Sequence, residues 1–267
     1  MQLDFFKYDG AGNDFVIFDF RSKHIELTEK QIAHLCHRRF GIGADGVMTL
    51  SQASAPYDFT MRYYNSDGRE GSMCGNGGRC IAALAYNLGL AHKGADNGLH
   101  TLDFVGYDGP HHAEVLVWND TEQTGIIRLG MKDVDYADVR PCLDGWFLDT
   151  GSPHYVQRVK ELQHFDVVRE GRRLRNLAEY FPHGTNVDFI EELPDGRLMV
   201  RTYERGVEDE TWACGTGVTA CAIVSGNKSL VTRGGDFKVD FDDDGSCFKN
   251  IKLTGPVSLN FCGTIVL

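Results

Sequence analysis

Hydrophobic and polar residues alternate cleanly in one stretch of this chain. Tyr57, Phe59, Met61 and Tyr63 fall on one face of residues 57–64, and Asp58, Thr60, Arg62 and Tyr64 on the other. A period of two predicts a half-buried strand. Shorter apolar runs predict strands at 3–8, 15–20, 47–50, 99–105, 113–118, 126–129, 146–149, 187–191, 197–203, 237–241, 250–253 and 261–267. Turn formers punctuate them: Asn65-Ser66-Asp67-Gly68, Tyr107-Asp108-Gly109-Pro110, Pro194-Asp195-Gly196, and the acidic run 242–245, read as a solvated turn.

The period changes to a helical one in a few places. Residues 28–40 open with Thr28 and Gln31, spaced as a capping box, carry Ile32, Leu35 and Cys36, and meet Gly41 as a stop. From Arg79 onward Ile81, Leu84, Ala85 and Leu88 share one side, with Gly89 placed as a C-cap. Further helices are expected at 218–224 and, short, at 173–180. The polar segment 119–125 marks a boundary between two domains.

Glycine-rich stretches sit between these elements. Asp9-Gly10-Ala11-Gly12-Asn13-Asp14 reads equally as a plain hairpin turn and as a loop that lets backbone approach a ligand. Gly41-Ile42-Gly43-Ala44-Asp45-Gly46 matches the dinucleotide fingerprint in letters only. That fingerprint follows a strand and opens a helix, and here a helix comes first and a strand after.

Two other stretches resemble each other. Met73-Cys74-Gly75-Asn76-Gly77-Gly78-Arg79-Cys80 follows a strand and opens a helix, and so does Ala213-Cys214-Gly215-Thr216-Gly217. Cys74 lies nine residues beyond Asn65 at its strand end, and Cys214 ten beyond Glu204. One cysteine before a glycine-opened helix is common, but two with equivalent lead-ins imply a duplicated α/β unit.

Composition narrows the class. The 267 residues are 42% hydrophobic, enough for one large or two medium cores. The net charge of −11 and a pI near 5.3 argue against a nucleic-acid or anionic-membrane partner, which would need a basic face. No apolar run reaches the ~20 residues of a membrane helix. The Met-Gln-Leu-Asp-Phe-Phe-Lys start carries no basic-then-apolar signal, so a cytoplasmic chain is expected. The eight cysteines, at 36, 74, 80, 142, 214, 221, 247 and 262, are then expected as reduced thiols. No Cys-x-x-Cys occurs, which argues against structural zinc and thioredoxin-type redox chemistry. Cys80 and Cys221 lie within helical patterns and are assigned to packing.

The pair Cys74 and Cys214 suits proton transfer. A thiol at a helix N-terminus feels the positive end of the dipole and the first backbone N–H groups, which favour thiolate and bind anions. Two such ends facing one another would hold a substrate carboxylate and stabilise charge on its α-carbon. A thiolate on one face removes the α-proton and a thiol on the other returns one, inverting the centre with no cofactor and no metal. The two thiols titrate as a coupled unit.

These motifs resemble the diaminopimelate epimerase family over nearly the full chain. The resemblance rests on Gly12-Asn13-Asp14-Phe15, Arg39-Phe40-Gly41-Ile42-Gly43-Ala44-Asp45-Gly46, Asn65-Ser66-Asp67-Gly68, and the Cys74 to Cys80 motif. It rests also on Gly151-Ser152-Pro153-His154, Gly184-Thr185-Asn186-Val187-Asp188, Glu204-Arg205-Gly206 and the Ala213 to Gly217 motif. It implies an α+β fold of two pseudo-symmetric lobes, each a mixed sheet wrapped around a central helix, with the active site in the cleft between them. The N-terminal lobe would span 1–118, with 259–267 returning as its last strand, and the C-terminal lobe 119–258.

The implied reaction is interconversion of LL- and meso-2,6-diaminoheptanedioate, independent of pyridoxal phosphate, for lysine and peptidoglycan precursors. By matching position Cys74 and Cys214 would be base and acid. Gly75, Asn76, Gly215 and Thr216 would present amides to the reacting carboxylate. Asn13, Asn65, Asn186, Glu204 and Arg205 would grip the distal amino-acid end, with bidentate Arg205 on its carboxylate and Glu204 on its ammonium. His154 would tune a thiol. Ser152 stands where the family often has Asn, and Gly46 where it often has Gln. The partner expected is a small amino acid, with a homodimer as the assembly.

Competing readings are a proline, hydroxyproline or histidine racemase, a non-catalytic amino-acid-binding protein, and a cysteine-ligated metal protein. The Asn/Glu/Arg set argues against substrates lacking a second amino-acid end, and both cysteines argue against the phenazine-type isomerases of this fold. A binding protein has no need of two cysteines at helix starts.

Overall fold

The computed structural model describes residues 1–23, 25–71, 74–94 and 98–267. Met73, first residue of the motif around Cys74, lies outside them. The chain divides into two units, Met1–Leu129 with Gly255–Leu267, and Gly130–Thr254.

The first unit opens with the hairpin β1 (Gln2–Gly10) and β2 (Asn13–Asp19), then α1 (Glu29–Cys36), β3 (Gly46–Ser51), β4 (Phe59–Asn65), α2 (Gly75–Asn87), the short β5 (His92–Lys93), β6 (His100–Gly106), β7 (Gly109–Asn119) and β8 (Thr124–Gly130). Its strands form a ring. β1 pairs antiparallel with β2, β2 parallel with β3, β3 antiparallel with β4, β4 parallel with β6, β6 antiparallel with β7, and β7 antiparallel with β8. Residues 255–266 close it, pairing antiparallel with β8 on one side and β1 on the other.

Helix α2 runs through that ring, packed on β1, β2, β3, β6 and β7. Every residue from Gly75 to Ala85 is buried. A helix apolar on all sides belongs in a core, and small side chains let the strands close on it: a Cβ on Gly10 would come 2.8 Å from the Asn76 carbonyl oxygen. The apolar side expected for 81–88 is therefore an all-round one as far as Ala85, and Asn87 in the last turn is exposed. The helix also starts at Gly75, ahead of Arg79, because Gly78 N–H already reaches the Cys74 carbonyl at 2.8 Å. Gly89 takes the left-handed conformation after the last turn (φ 75°).

Helix α1 covers the outer face of the sheet, where Ile32, Leu35 and Cys36 pack with Phe5, Val16, Phe18 and Val47. Thr28 and Gln31 make both bonds of the capping box. The helix ends at Cys36, short of the expected Phe40. The loop folds back and its Ile42, Gly43 and Ala44 amides take the carbonyls of Leu35 and Cys36 that further turns would have used.

The second unit contains β9 (Val134–Asp135), β10 (Arg140–Cys142), β11 (Gly145–Asp149), β12 (Pro153–Arg158), α3 (Val167–Arg175), β13 (Asn186–Glu192), β14 (Leu198–Glu204), β15 (Asp209–Thr211), α4 (Gly215–Ser225), β16 (Ser229–Thr232), β17 (Gly235–Asp243) and the start of β18 (Cys247–Val266). Successive pairings run antiparallel for β11 and β12, parallel for β12 and β13, antiparallel for β13 and β14, parallel for β14 and β16, then antiparallel through β17 to β18. This is the same series as in the first unit, with α3 in the place of α1 and α4 in the place of α2. The duplication is one of topology. Like α2, α4 is buried nearly throughout.

Three further expectations change. The division falls at 129/130 and 254/255 rather than 118/119 and 258/259, because β7 and β8 form a hairpin across the polar segment 119–125. The helix expected at 173–180 lies at Val167–Arg175, started by Asp166, whose side chain accepts the Arg169 N–H at 3.1 Å. The strands expected at 250–253 and 261–267 are one element, β18, whose inward positions stay buried from Ile251 to Val257. Among the described residues no helix is long and apolar enough to cross a membrane.

Candidate active site

The first half of the site is built on the start of α2. Cys74 is the N-cap residue, in extended conformation (φ −107°, ψ 122°), so its side chain leaves the helix axis. Its Sγ lies 3.6 Å from Asn13 Oδ1, and Asn76 Nδ2 lies 3.4 Å from the same oxygen. Asn13 begins β2, and its Nδ2 donates to Asp45 Oδ2 at 2.7 Å. That bond fixes which way the amide faces. Behind it stands an ion cluster: Arg38 bridges Asp14 (2.8 Å) and Asp45 (2.6 Å), and buried Lys7 pairs with Asp14 and donates to the Gly43 carbonyl.

Asn76 is anchored from below. The guanidinium of Arg79, wholly buried, donates to Asn76 Oδ1 at 2.9 Å and to the Gly75 carbonyl at 3.2 Å. The amides of Gly75 and Asn76 lie ahead of the first intrahelical bond, where a helix presents positive potential. Asn65 is held elsewhere. It ends β4 exposed, its N–H on the Arg69 carbonyl and its C=O accepting from Gly68 N–H, both at 2.9 Å.

The second half is built on the start of α4. Cys214 is again the N-cap, again extended (φ −120°, ψ 113°), and buried at 7% exposure. Its Sγ lies 3.4 Å from Thr216 Oγ1. Thr216 Oγ1 lies 2.9 Å from His154 Nε2 and 3.2 Å from Ser152 Oγ. His154 Nδ1 lies 2.6 Å from Asp188 Oδ2, and Thr202 donates to Asp188 Oδ1 at 2.7 Å. His154, Asp188 and Thr202 come from β12, β13 and β14, three adjacent strands under the helix start.

Burial pushes the Cys214 thiol well above its ordinary value, and the charges of Glu204 and Asp188 push the same way. The Thr216 hydroxyl and the Gly217 amide oppose this and are outweighed. Asn186, first residue of β13, donates to Ser152 Oγ and the Pro153 carbonyl and accepts the Arg205 N–H at 2.8 Å. It thereby ties the 152–154 loop to the end of β14, where Glu204 and exposed Arg205 stand.

The structure thus joins Asn13, Cys74, Gly75 and Asn76 in one cluster, and Ser152, His154, Asn186, Arg205, Cys214, Gly215 and Thr216 in the other. Asn65 lies outside the first. His154, on β12, is fully buried and paired with Asp188. Sequence reasoning gave no role to Arg79, Asp188, Thr202 or the Asp45–Arg38 cluster. Arg79 and Asp188 stood inside quoted motifs, but burial and partners depend on strand pairing. Among the described residues no group of three or more His, Cys, Asp or Glu side chains is arranged to hold a metal ion.

The fold defines a class. The structure matches a probable proline racemase from Agrobacterium radiobacter (TM-score 0.71, 15% identity, 99% of this chain and 93% of that one). It also matches a phenazine biosynthesis protein of the PhzF family from Bacillus anthracis (TM-score 0.70, 16% identity, 100% of both). This is the α+β fold of the proline racemase and PhzF proteins, and at such identities the likeness is one of fold. Sequence gives the particular family. The diaminopimelate epimerase family model matches residues 5–99 and 146–259. The diaminopimelate epimerase of Flavobacterium psychrophilum is 41% identical over 98% of this chain and 100% of that protein. That of Chlorobaculum tepidum is 39% identical over 97% and 99%, and that of Aquifex aeolicus 35% over 98% of each. The chain belongs to the diaminopimelate epimerase family, and it is an isomerase.

Proposed function

We propose that Cys74 and Cys214 carry out the epimerisation of LL-2,6-diaminoheptanedioate to the meso isomer, one as base and one as acid. The observation that carries this reading is their shared position. Each is the extended N-cap of a buried helix, in matching places of a duplicated topology.

The Cα–H proton passes to one thiolate, leaving a carbanion whose charge spreads into the carboxylate. The amides of Gly75, Asn76, Gly215 and Thr216 stabilise that charge as it forms. The other thiol delivers its proton to the opposite face, and the centre is inverted. One proton is taken and one given, so no redox partner and no cofactor enter. In the reverse direction the thiols exchange roles. Asn13, Asn65, Asn186, Glu204 and Arg205 bind the far amino-acid end, Arg205 at its carboxylate and Glu204 at its ammonium. His154 sets the protonation of Cys214 through Thr216. Two working thiols need reduced sulfur, which places the reaction in the cytoplasm.

The test is incubation of the protein with LL-diaminopimelate in deuterated water. Meso product carrying deuterium at the inverted carbon supports the reading. No turnover, alongside turnover of proline, 4-hydroxyproline or histidine, overturns the substrate.

A further inference from the structure

Arg79 has no part in the reaction as described, yet it is the largest fully buried side chain among those described. Its guanidinium holds the first turn of α2, the turn that Cys74 caps, by two bonds: Nη2 donates to Asn76 Oδ1 and Nη1 to the Gly75 carbonyl. A buried cation is costly wherever a neutral group would serve. The repeat shows that a neutral group does serve. Thr219 stands five residues after Cys214, as Arg79 stands five after Cys74. It is equally buried, and its hydroxyl donates to the Gly215 carbonyl at 3.0 Å. Tying down a helix start needs only a hydroxyl, so the charge in the first unit calls for a separate reason.

The charge environments of the two cysteines differ in the matching sense. Arg79 interacts electrostatically with the Cys74 and Cys80 thiols and with Asp9. Burial lowers it to about 10, which leaves it cationic at neutral pH. Cys214 faces Glu204 and Asp188, both of which oppose a thiolate there.

We propose that Arg79 is a positioning residue of the Cys74 half-site, clamping the Asn76 amide and the Gly75 carbonyl and supplying the positive charge that makes Cys74 the resting thiolate and leaves Cys214 the resting thiol. This rests on the two-thiol reading above. The other titratable or charged groups around the helix start are Cys80 on α2, Asp9 on β1, and Asp14 on β2 with its partners Lys7 and Arg38. On β7, buried Glu114 is paired with Arg128 at 2.6 Å. Arg79 bonds the turn that Cys74 caps through its own side chain.

The experiment is alkylation by iodoacetamide as a function of pH, read separately at Cys74 and Cys214 by peptide mass spectrometry. It compares wild type, Arg79→Lys and Arg79→Met, each checked for folding by circular dichroism. Arg79→Met is expected to raise the Cys74 midpoint by about 1 pH unit or more, slowing its alkylation near neutrality roughly tenfold, while the Cys214 profile stays in place. Arg79→Lys is expected to keep the midpoint and, lacking the planar fork, to raise KM for LL-diaminopimelate about tenfold. A folded Arg79→Met protein with an unmoved Cys74 midpoint overturns the proposal, as does an equal displacement at both cysteines. Where Arg79→Met does not fold, Arg79→Lys decides: a kept midpoint with raised KM supports the proposal, and a raised midpoint or a wild-type KM overturns it. Alkylation needs no substrate. A wild-type protein inert toward LL-diaminopimelate would sink the proposed function and leave the alkylation result standing.

Discussion

His154 Nδ1 lies 2.6 Å from Asp188 Oδ2, with both side chains fully buried. Opposed charges or strong hydrogen-bonding partners persist in a core only when each satisfies the other, and removing one partner typically costs about 3 kcal/mol or more. Asp188 also accepts from Thr202. Asp188→Asn keeps the shape and loses the charge. The expected result is a loss of about 3 kcal/mol in urea unfolding, with a fall in kcat/KM because the His154 ring is no longer oriented toward Thr216. Unchanged stability together with unchanged activity would show that the pair orients nothing.

Gly217 lies against that pair. A Cβ there would overlap Asp188 Oδ1 and stand 3.2 Å from His154 Cε1. Neither neighbour is the free end of a flexible chain. Gly217→Ala should therefore cost about 1–3 kcal/mol as an overpacking change, although alanine ordinarily favours a helix over glycine. A stabilised variant, measured by thermal unfolding, would contradict the geometry.

The two cysteines make a paired prediction. Cys74→Ala and Cys214→Ala should each lower epimerisation by roughly 10²–10⁴-fold or more, the usual effect of losing a general acid or base. The chemistry also requires both sulfurs to reach one α-carbon. Mild oxidation should then give an inactive protein with a Cys74–Cys214 disulfide, restored by dithiothreitol and identified by mass spectrometry. Full activity in either variant removes the two-thiol scheme.

Cys214 also sets a pH limit. Its thiol is held above the ordinary 9.0 by burial and by Glu204 and Asp188. With Cys214 as the proposed acid it must stay protonated, so the alkaline fall of kcat/KM should come above pH 9. Glu204→Gln removes one of the charges and should draw that limb downward. A limb already well below pH 9 in the wild type would assign the acid to another group.

Asp14 governs acid stability. Burial alone would raise its pKa, but hydrogen bonds and charges from Arg38 and Lys7 outweigh this and hold it at about 2, against 3.8 ordinarily. A depressed carboxylate stabilises the fold above its unfolded value and loses that contribution as pH falls through the folded one. About 2 kcal/mol, present above pH 3.8, should disappear as pH falls from there toward 2. Urea midpoints across this window should fall more steeply for the wild type than for Asp14→Asn. Parallel curves would mean that the cluster behind Asn13 contributes nothing to acid tolerance.

Much of this was readable without coordinates. The alternation in 57–64, the Thr28 capping box and the repeated Cys-Gly-x-Gly openings are local patterns, and local patterns point to element type and to the caps that start helices. They placed Cys74 and Cys214 at helix starts and identified the duplication. They could not decide where a helix ends when a loop folds back to cap it, as at Cys36, or whether the polar segment 119–125 divides domains or turns a hairpin. Those depend on which strand pairs with which. The same limit separates the residues of the site. The sequence by itself determined which thiols, amides and polar ends are available. Only the tertiary structure decided that His154 is buried on Asp188, that Asn13 is oriented by Asp45, and that Arg79 lies buried beneath the helix start at Cys74. Burial and partnership are set by strands far apart in the chain, and no spacing along the sequence records them.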